Sequence, residues 1–237
     1  MKKKFGLVLF TSILTILMIT GICFLQATQA RADDKTEAVQ LVDKAKFTFT
    51  NFMADQSMGV MRDLLKDAKG VFIIPQLLRG AYVIGISGGS GVFLAREKGD
   101  RWRGPTFYTV GGASIGLQIG GEASEVVLVA MTERGVDAFL SNNFKLGGDA
   151  NVAVGPVGIG VSAQTANLSG DILSFSRSKG LYGGVSLQGA VVAARDDLNR
   201  AFYGEKVERP ADVLIRGKAT NSQAEALQEE VAKAAKK

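Results

Sequence analysis

Residues Ala68–Arg96 have the sequence AKGVFIIPQLLRGAYVIGISGGSGVFLAR, in which a short apolar strand, Val71–Ile74, is followed by a turn at Pro75 and a longer β segment. Glycine permits bulges and the close approach of neighbouring backbones, so a segment this apolar and this rich in glycine is typical of a tightly coiled sheet. The glycines either form a ligand site or only bend the sheet; they are Gly85, Gly88, Gly89 and Gly91.

A phosphate-binding loop is the first interpretation to test for GISGGSG at residues Gly85–Gly91. A phosphate loop ends in Gly-Lys followed by Ser or Thr, and both it and the dinucleotide fingerprint lead into a helix. Here the glycines are followed by Val92–Leu94, which continues as a strand. We therefore interpret the glycines as bends, and we expect Gly88→Val to damage folding before it damages binding.

Catalytic signals are missing from this sequence. The chain has 237 residues, enough for one domain with appendages or at most two small domains. It contains no histidine, the usual general base and the commonest metal ligand. No nucleophile elbow, Ser/Lys pair or calcium-loop spacing takes its place. The single cysteine, Cys23, excludes an intramolecular disulfide. We expect no enzyme activity, no cofactor and no metal site, with a hydrolase as the weakest alternative.

The basic charge belongs to the start of the chain. The formal net charge is +5, but the first 32 residues hold Lys2, Lys3, Lys4 and Arg31 and no acid. Without these four, the 28 basic residues fall to 24 against 23 acids. Because nucleic-acid-binding proteins keep a strong basic excess in their folded part, we expect no nucleic-acid partner.

Residues 1–32 resemble a secretory signal peptide. Three lysines precede the uncharged stretch Phe5–Leu25, and Ala30–Ala32 supplies the small residues that a signal peptidase needs. The alternative is an uncleaved membrane anchor, since 21 apolar residues are long enough to span a bilayer. A lipidated Cys23 is weaker, because the preceding Ile22 is too large. Each version exports the body to the periplasm or to the outer face of the membrane.

Residues 33–69 are predicted to be a helical N-terminal segment. A first helix carries an apolar stripe at helical spacing, and a second covers Ser57–Lys69. The stripe either packs on the sheet or lies on an anionic membrane, and both interpretations stay open. The stripe consists of Ala38, Leu41, Val42, Ala45, Phe49 and Phe52.

Residues 70–216 are predicted to form the β body, and residues 217–237 a helical tail. Many short β segments are separated by glycine turns, and Pro210 introduces a final extended piece, Val213–Arg216. Ser222 and Glu225 form a capping box at the start of the tail helix. The expected fold class is α+β: N-terminal helices, then a Gly-rich, strongly coiled antiparallel sheet or barrel-like body, then a C-terminal helix.

The chain resembles the SYLF domain, a lipid-binding family that also has actin-binding members in yeast. The resemblance covers residues 58–204 and keeps the family's order of motifs. Two positions depart from it: Arg103 stands where the family often has Ser, and Gln188 where it often has Glu. The matching motif residues are Gly70, Pro75, Gly85, Gly88, Gly91, Trp102, Pro105, Gly116, Gly120, Gly155, Pro156, Gly158, Gly184, Gln188, Gly189, Tyr203 and Gly204.

The resemblance implies a non-enzymatic module that binds phospholipid or an anionic membrane surface through the segment before the glycine-rich core. The alternative is a structural or protein-interaction module of the cell envelope without lipid specificity. The oligomeric state stays open. The candidate lipid-binding residues are Lys35, Lys44, Lys46, Phe49, Phe52, Arg62, Lys66 and Lys69.

We expect the exported chain to begin at Asp33. Removal of residues 1–32 would take away the apolar stretch and four positive charges together, so intact-mass spectrometry of the protein recovered from the envelope is decisive. A mass that retains residues 1–32 would instead establish the membrane anchor.

Overall fold

The computed structural model describes residues 32–81, 84–115, 120–159, 169–178, 181–183 and 186–236. Residues 1–31 of the predicted leader, Gly116 and Gly184 lie outside these residues. Among the helices of the described part, none is long and apolar enough to cross a membrane.

Helices begin and end the described chain. The first, α1, covers residues 32–54, and a 3-10 turn at Gln56–Met58 leads into α2, Gly59–Leu65. Asp55 accepts a hydrogen bond from the Ser57 backbone N–H at 2.8 Å, which satisfies one of the free donors where the turn begins. The later helices are α3 Glu133–Leu140, α4 Asp196–Tyr203, α5 Pro210–Leu214 and α6 Glu225–Ala234.

Nine strands form a single sheet in the described residues, in the order β5-β9-β3-β2-β1-β4-β7-β6, with β8 paired to β7. The expected fold class is confirmed, with one difference: β6 and β7 are parallel. The residues between these two strands are numerous enough for the crossover that parallel pairing requires. The strands are β1 Gly70–Ala81, β2 Ile84–Arg96, β3 Trp102–Ile115, β4 Gly120–Ala130, β5 Asn143–Lys145, β6 Val152–Val154, β7 Ile172–Ser178, β8 Leu181–Gly183 and β9 Val191–Ala194.

Two cores lie on opposite faces of the sheet. On the face that we call the α1 face, α1, α2, α4 and α6 bury residues such as Phe49, Phe52 and Leu227 against the strands. On the other, the α3 face, Phe139 of α3 stacks on Phe93 with ring centroids 3.9 Å apart. The stripe of α1 is therefore packed on the sheet.

A β-bulge in β1 changes which residues face α1. In the pairing with β2, Ile73 lies opposite Val92 but Gln76 lies opposite Ser90, so β1 has one extra residue at this point. The pairing with β4 shifts at the same place. Proline has no N–H to donate to a neighbouring strand, which accounts for the irregularity at Pro75. Because side chains alternate between the faces, the extra residue reverses the alternation for the rest of β1.

The chain after the sheet is helical where extended structure was expected. The predicted piece Val213–Arg216 is wrong, because residues from Pro210 onward form α5, which has proline in its first turn as helices favour. Asp212 is buried in this helix and pairs with Arg216 and Lys218 at 2.8 Å each. Hydrogen bonds and these cations hold the pKa of Asp212 well below its usual range.

Gly91→Ala is expected to destabilise the fold, and Gly88→Ala is the matched control. A Cβ at Gly91 would lie 2.6 Å from the Ile73 carbonyl oxygen, whereas one at Gly88 would meet nothing nearer than 3.8 Å. The space beside Gly88 accommodates a Cβ, so Gly88→Ala is expected to cost little, and the expectation for the larger Gly88→Val stays a prediction. We expect Gly91→Ala to cost about 1–3 kcal/mol of unfolding free energy.

Thermal unfolding followed by circular dichroism measures this cost, at roughly 2–4 °C per kcal/mol for a protein of this size. Equal melting temperatures for the Gly88 and Gly91 variants would contradict the packing argument.

Candidate functional site

Beyond the bulge, the α1 face of the sheet continues past the helices that cover it. Residues paired directly across neighbouring strands lie on the same face, so the register identifies two rows of four positions there. We call these eight positions the bare rows. They are Ala123, Leu78, Gly88 and Gly111 in the first row, and Gly121, Gly80, Ile86 and Ala113 in the second.

The bare rows carry no polar side chain, although they face solvent. Leu78 is 53% exposed and Ile86 is 67% exposed. The opposite face of the same strands carries Arg79, Ser87 and Glu122, so polar residues occur where these strands meet water elsewhere. A contiguous exposed apolar surface, unlike a single exposed leucine, indicates a site of interaction.

A polar row separates the bare rows from the buried core. Gln76, Ser90 and Thr109 are direct neighbours across β1, β2 and β3, and Glu125 of β4 continues the row. The next row toward the core is apolar and fully buried, with Ile73 at its centre. Along each strand, the α1 face therefore changes from buried apolar, to polar, to exposed apolar.

Two neighbouring clefts lie where α1 passes over the polar row. The larger, of about 720 Å³, contains Phe47, Thr48, Pro75 and Ala123 among its lining residues. The smaller, of about 230 Å³, includes Leu78 of the bare rows. The residues common to both clefts are Lys44, Pro75 and Gln76. Lys44 thus lines both clefts, beside residues of the polar row and of the bare rows.

A partly buried hydrogen-bond network forms one wall of the larger cleft. Thr48 of α1 donates a hydrogen bond to Glu125 Oε1 at 3.2 Å, and Arg177 of β7 donates through Nε to Glu125 Oε2. The side chains of Arg177 and Glu125 are 27% and 22% exposed. A partly buried, charge-assisted pair of this kind joins α1 to β4 and β7 and gives the cleft a rigid edge.

The predicted aromatic contacts with a membrane are wrong. Phe49 and Phe52 are completely buried in the core beneath α1, because they lie on its sheet-facing stripe. The outward aromatic residue of α1 is Phe47, which is 67% exposed and lines the larger cleft. Sequence reasoning missed Phe47 because it searched the apolar stripe; an aromatic residue outside that stripe was the available signal.

Three of the predicted basic residues are engaged within the protein. Arg62 donates to the backbone carbonyls of Met53 and Asp55, and Lys66 pairs with Asp63 at 2.8 Å. Lys69 pairs with Glu133 at 2.9 Å. Lys66 and Lys69 precede the start of β1, whereas the bare rows lie near its other end, roughly 30 Å away at 3.3 Å per residue.

The three lysines of α1 do not form one basic patch. At about 100° per residue, Lys44 and Lys46 project about 160° apart, and Lys35 lies on the same side as Lys46. Only Lys44 borders the clefts. The helix also carries four acids: Asp33, Asp34, Glu37 and Asp43.

Several of the motif residues that the structure describes are held in structural contacts. Tyr203 donates a hydrogen bond to the Pro105 carbonyl at 2.8 Å, and a Cβ at Gly155 would lie 2.3 Å from the Phe175 ring. Of the two departures, Arg103 pairs with Glu97 at 2.6 Å. Gln188 covers Gly147, where a Cβ would lie 2.3 Å from its amide. Neither belongs to the bare rows.

No cluster of residues suited to hold a metal ion occurs within the described ranges. Buried tyrosines supply no reactive group either. Burial raises the pKa of Tyr108 and of Tyr203 far above the ordinary value, so both phenols stay protonated. The chemistry that the site offers is therefore one unpaired amine, a row of hydrogen-bonding side chains and an apolar surface.

Comparison with known proteins identifies relatives of this chain. A family model described as Las17-binding protein actin regulator, Ysc84, matches residues 111–234. The chain is 33% identical to human SH3 domain-containing YSC84-like protein 1, over 70% of this chain and 48% of the relative. It is 34% identical to the Xenopus laevis protein of that name, over 64% and 46% respectively.

A yeast protein extends the comparison. LAS seventeen-binding protein 3 of Saccharomyces cerevisiae is 35% identical, over 73% of this chain and 38% of the relative. The chain thus spans about half the length, or less, of the curated relatives that it matches.

Glu125→Gln is expected to lower stability, because Arg177 and Thr48 both lose the carboxylate that they contact. The expected loss is about 1–3 kcal/mol, measured by urea denaturation. Glu133→Gln is the matched control: its pair with Lys69 is largely exposed and is expected to contribute about 0–1 kcal/mol. Equal losses in the two variants would show that the network contributes no more than a surface pair.

Proposed function

Because the chain belongs to the Ysc84 family of Las17-binding protein actin regulators, whose SYLF motifs it carries, we propose that it is a non-catalytic binding module. We propose further that its ligand is a phospholipid membrane surface. The family is described as a regulator, and the clefts offer no pairing of a nucleophile with a general base. Binding is therefore the activity that the available side chains support best.

The observation that carries this proposal is the order of the rows on the α1 face, from buried apolar, to polar, to exposed apolar. An apolar surface bordered by hydrogen-bonding side chains and a cation matches the order of layers in a phospholipid, with acyl chains beside an anionic headgroup. Phe47 adds an exposed aromatic ring beside Lys44. Aromatic rings favour the boundary between headgroups and acyl chains.

The free energy expected from apolar contact with the membrane exceeds that expected from charge attraction. α1 carries four acids against three lysines, so electrostatic attraction by this helix is weak. One lysine near an anionic surface contributes about 1 kcal/mol. Full burial of a side chain such as Leu78 or Ile86 contributes roughly 1.5–3 kcal/mol. We therefore expect moderate salt dependence and a strong dependence on the exposed apolar residues.

A protein partner is the second candidate. The yeast relative is named a LAS seventeen-binding protein, and the family description also names a protein partner. The same clefts would then receive a polypeptide. The two candidates differ in a measurable way, because a protein partner would be captured equally well with and without lipid.

The proposed location is the periplasm or the outer face of the membrane. Its support is the sequence of residues 1–32, which places a basic start before an uncharged stretch and small residues. A module exported in this way meets phospholipid headgroups wherever it leaves the membrane, so the location agrees with the proposed ligand.

Co-sedimentation with vesicles made from equal parts of phosphatidylcholine and phosphatidylglycerol tests the proposal. The chain from Asp33 is suitable because it contains every described element except Ala32, the first described residue of α1. We expect Phe47→Ser and Lys44→Glu each to reduce binding about fivefold or more, as losses of roughly 1 kcal/mol or more imply.

Lys98→Glu is the matched control, since Lys98 is exposed in the turn at the other end of β2. Its binding should equal that of the unmodified chain. If the unmodified chain fails to sediment with these vesicles at low salt, the membrane proposal is wrong.

A further inference from the structure

We propose that the bare rows and the two clefts form a seat for a single phospholipid molecule, with its acyl chains on the bare rows and its phosphate at Lys44. This inference rests on the proposed function and deepens it. It assigns the contact to an individual lipid drawn into a recess, whereas the proposed function requires only association with a membrane surface.

The shape of the α1 face favours a recess. α1 packs on the part of this face that lies toward the core, and it covers the sheet only as far as the polar row. The side of α1 therefore forms a wall next to the uncovered bare rows. The smaller cleft lies in the corner between this wall and the sheet, where Lys44 and Leu41 of α1 meet Leu78, Gly88 and Ser90. A molecule that enters this corner contacts the helix on one side and the sheet below.

Small side chains keep the surface of the bare rows close to the backbone of the sheet. Four of the eight bare-row positions are glycine and two are alanine, so only Leu78 and Ile86 rise above the backbone. The row from Ala123 to Gly111 crosses four strands, a distance of roughly 14 Å at the usual strand spacing. A flat apolar track of this length accommodates an acyl chain, and its backbone groups are paired within the sheet, as contact with hydrocarbon requires.

The charges place the headgroup at the polar row. Glu37, which also lines the smaller cleft, pairs with Arg195 at 3.1 Å, and Glu125 of the larger cleft is paired with Arg177. Lys44 has no such partner among the described residues. Asp43 is the remaining acid at the larger cleft, so the phosphate is expected on the side of the smaller cleft. Gln76 and Ser90 there supply hydrogen-bond donors.

A second copy of this chain fits the surface less well. Eight positions spaced by about 4.8 Å across the strands and about 6.8 Å along each strand cover roughly 260 Å². A stable protein interface needs about 800 Å² from each partner. The bare rows are too small for a dimer interface by this measure, whereas their area suits the side of a lipid chain.

Ile86→Trp provides the direct test. Ile86 lies in the second bare row, so the introduced indole should contact the acyl chain. Trp102 is buried and should contribute a constant background fluorescence. The probe is dihexanoyl phosphatidylglycerol below its micelle-forming concentration, added to the chain from Asp33. We expect saturable blue-shifted fluorescence from Ile86→Trp, and no change from Ala226→Trp, which is exposed on α6. Glycerol 3-phosphate, the headgroup alone, should cause no shift.

Leu78→Asp tests the seat without a reporter at the binding position. Titration calorimetry with the same short-chain lipid should show at least about tenfold weaker binding, because a carboxylate would face the chain. Lys98→Asp, an exposed change in the turn at the other end of β2, should leave binding unchanged. Since both positions are exposed, melting temperatures should be unchanged, which separates binding from folding.

The outcomes distinguish the two proposals. Vesicle binding without any response to the monomeric lipid would overturn the single-lipid seat and leave the membrane proposal intact. No vesicle binding and no response to the monomeric lipid would overturn both. A dimer that dissociates in Ile86→Asp would assign the bare rows to a second copy and also overturn the seat.

Discussion

Proline at position 75 has no N–H to give to a neighbouring strand, and β1 accommodates it with one extra residue. β1 lies between β2 and β4, so the shift occurs in the middle of the sheet rather than at an edge. Before the bulge, Ile73 faces α1; after it, Leu78 does. With uninterrupted alternation, Leu77 would lie on this face and Leu78 would be buried on the other. Which residues of β1 belong to the bare rows therefore depends on the one extra residue at the β-bulge.

Neighbouring residues are arranged around the bulge. A Cβ at Gly89 would lie 2.4 Å from the carbonyl oxygen of Gln76, so glycine is what lets β2 pass beside the extra residue. On the β4 side of β1, the contacts of Glu125 with Thr48 and Arg177 join α1 to β4 and β7. These contacts lie at the polar row, where α1 stops covering the sheet. The rows on this face consequently run from core, to polar, to exposed apolar, which is the layering of an amphiphile. The proposed binding function rests on this order of rows.

Much of the fold could be predicted from local pattern. The helical stripe ending in Phe52, the glycine-bent sheet and the family resemblance were all recognisable, and the structure and the relatives confirm the fold class and the family. The candidate site was less accessible. Helical periodicity places Phe49 in the core, against its predicted contact with lipid, and the exposed ring is that of Phe47. Lys44 and Lys46, both predicted to bind lipid, project from nearly opposite flanks of α1.

The sequence by itself determined the secondary-structure periods, the glycine-rich character of the sheet and the membership of the family, because these depend on residues close together in the chain. Only the tertiary structure decided that the described helices leave one face of β1–β4 uncovered beyond Pro75. That outcome depends on where α1 ends over the sheet and on the register of four strands drawn from separate parts of the chain. A slip of one residue exchanges the two faces of a strand, and no local pattern reveals which face the helices will leave bare.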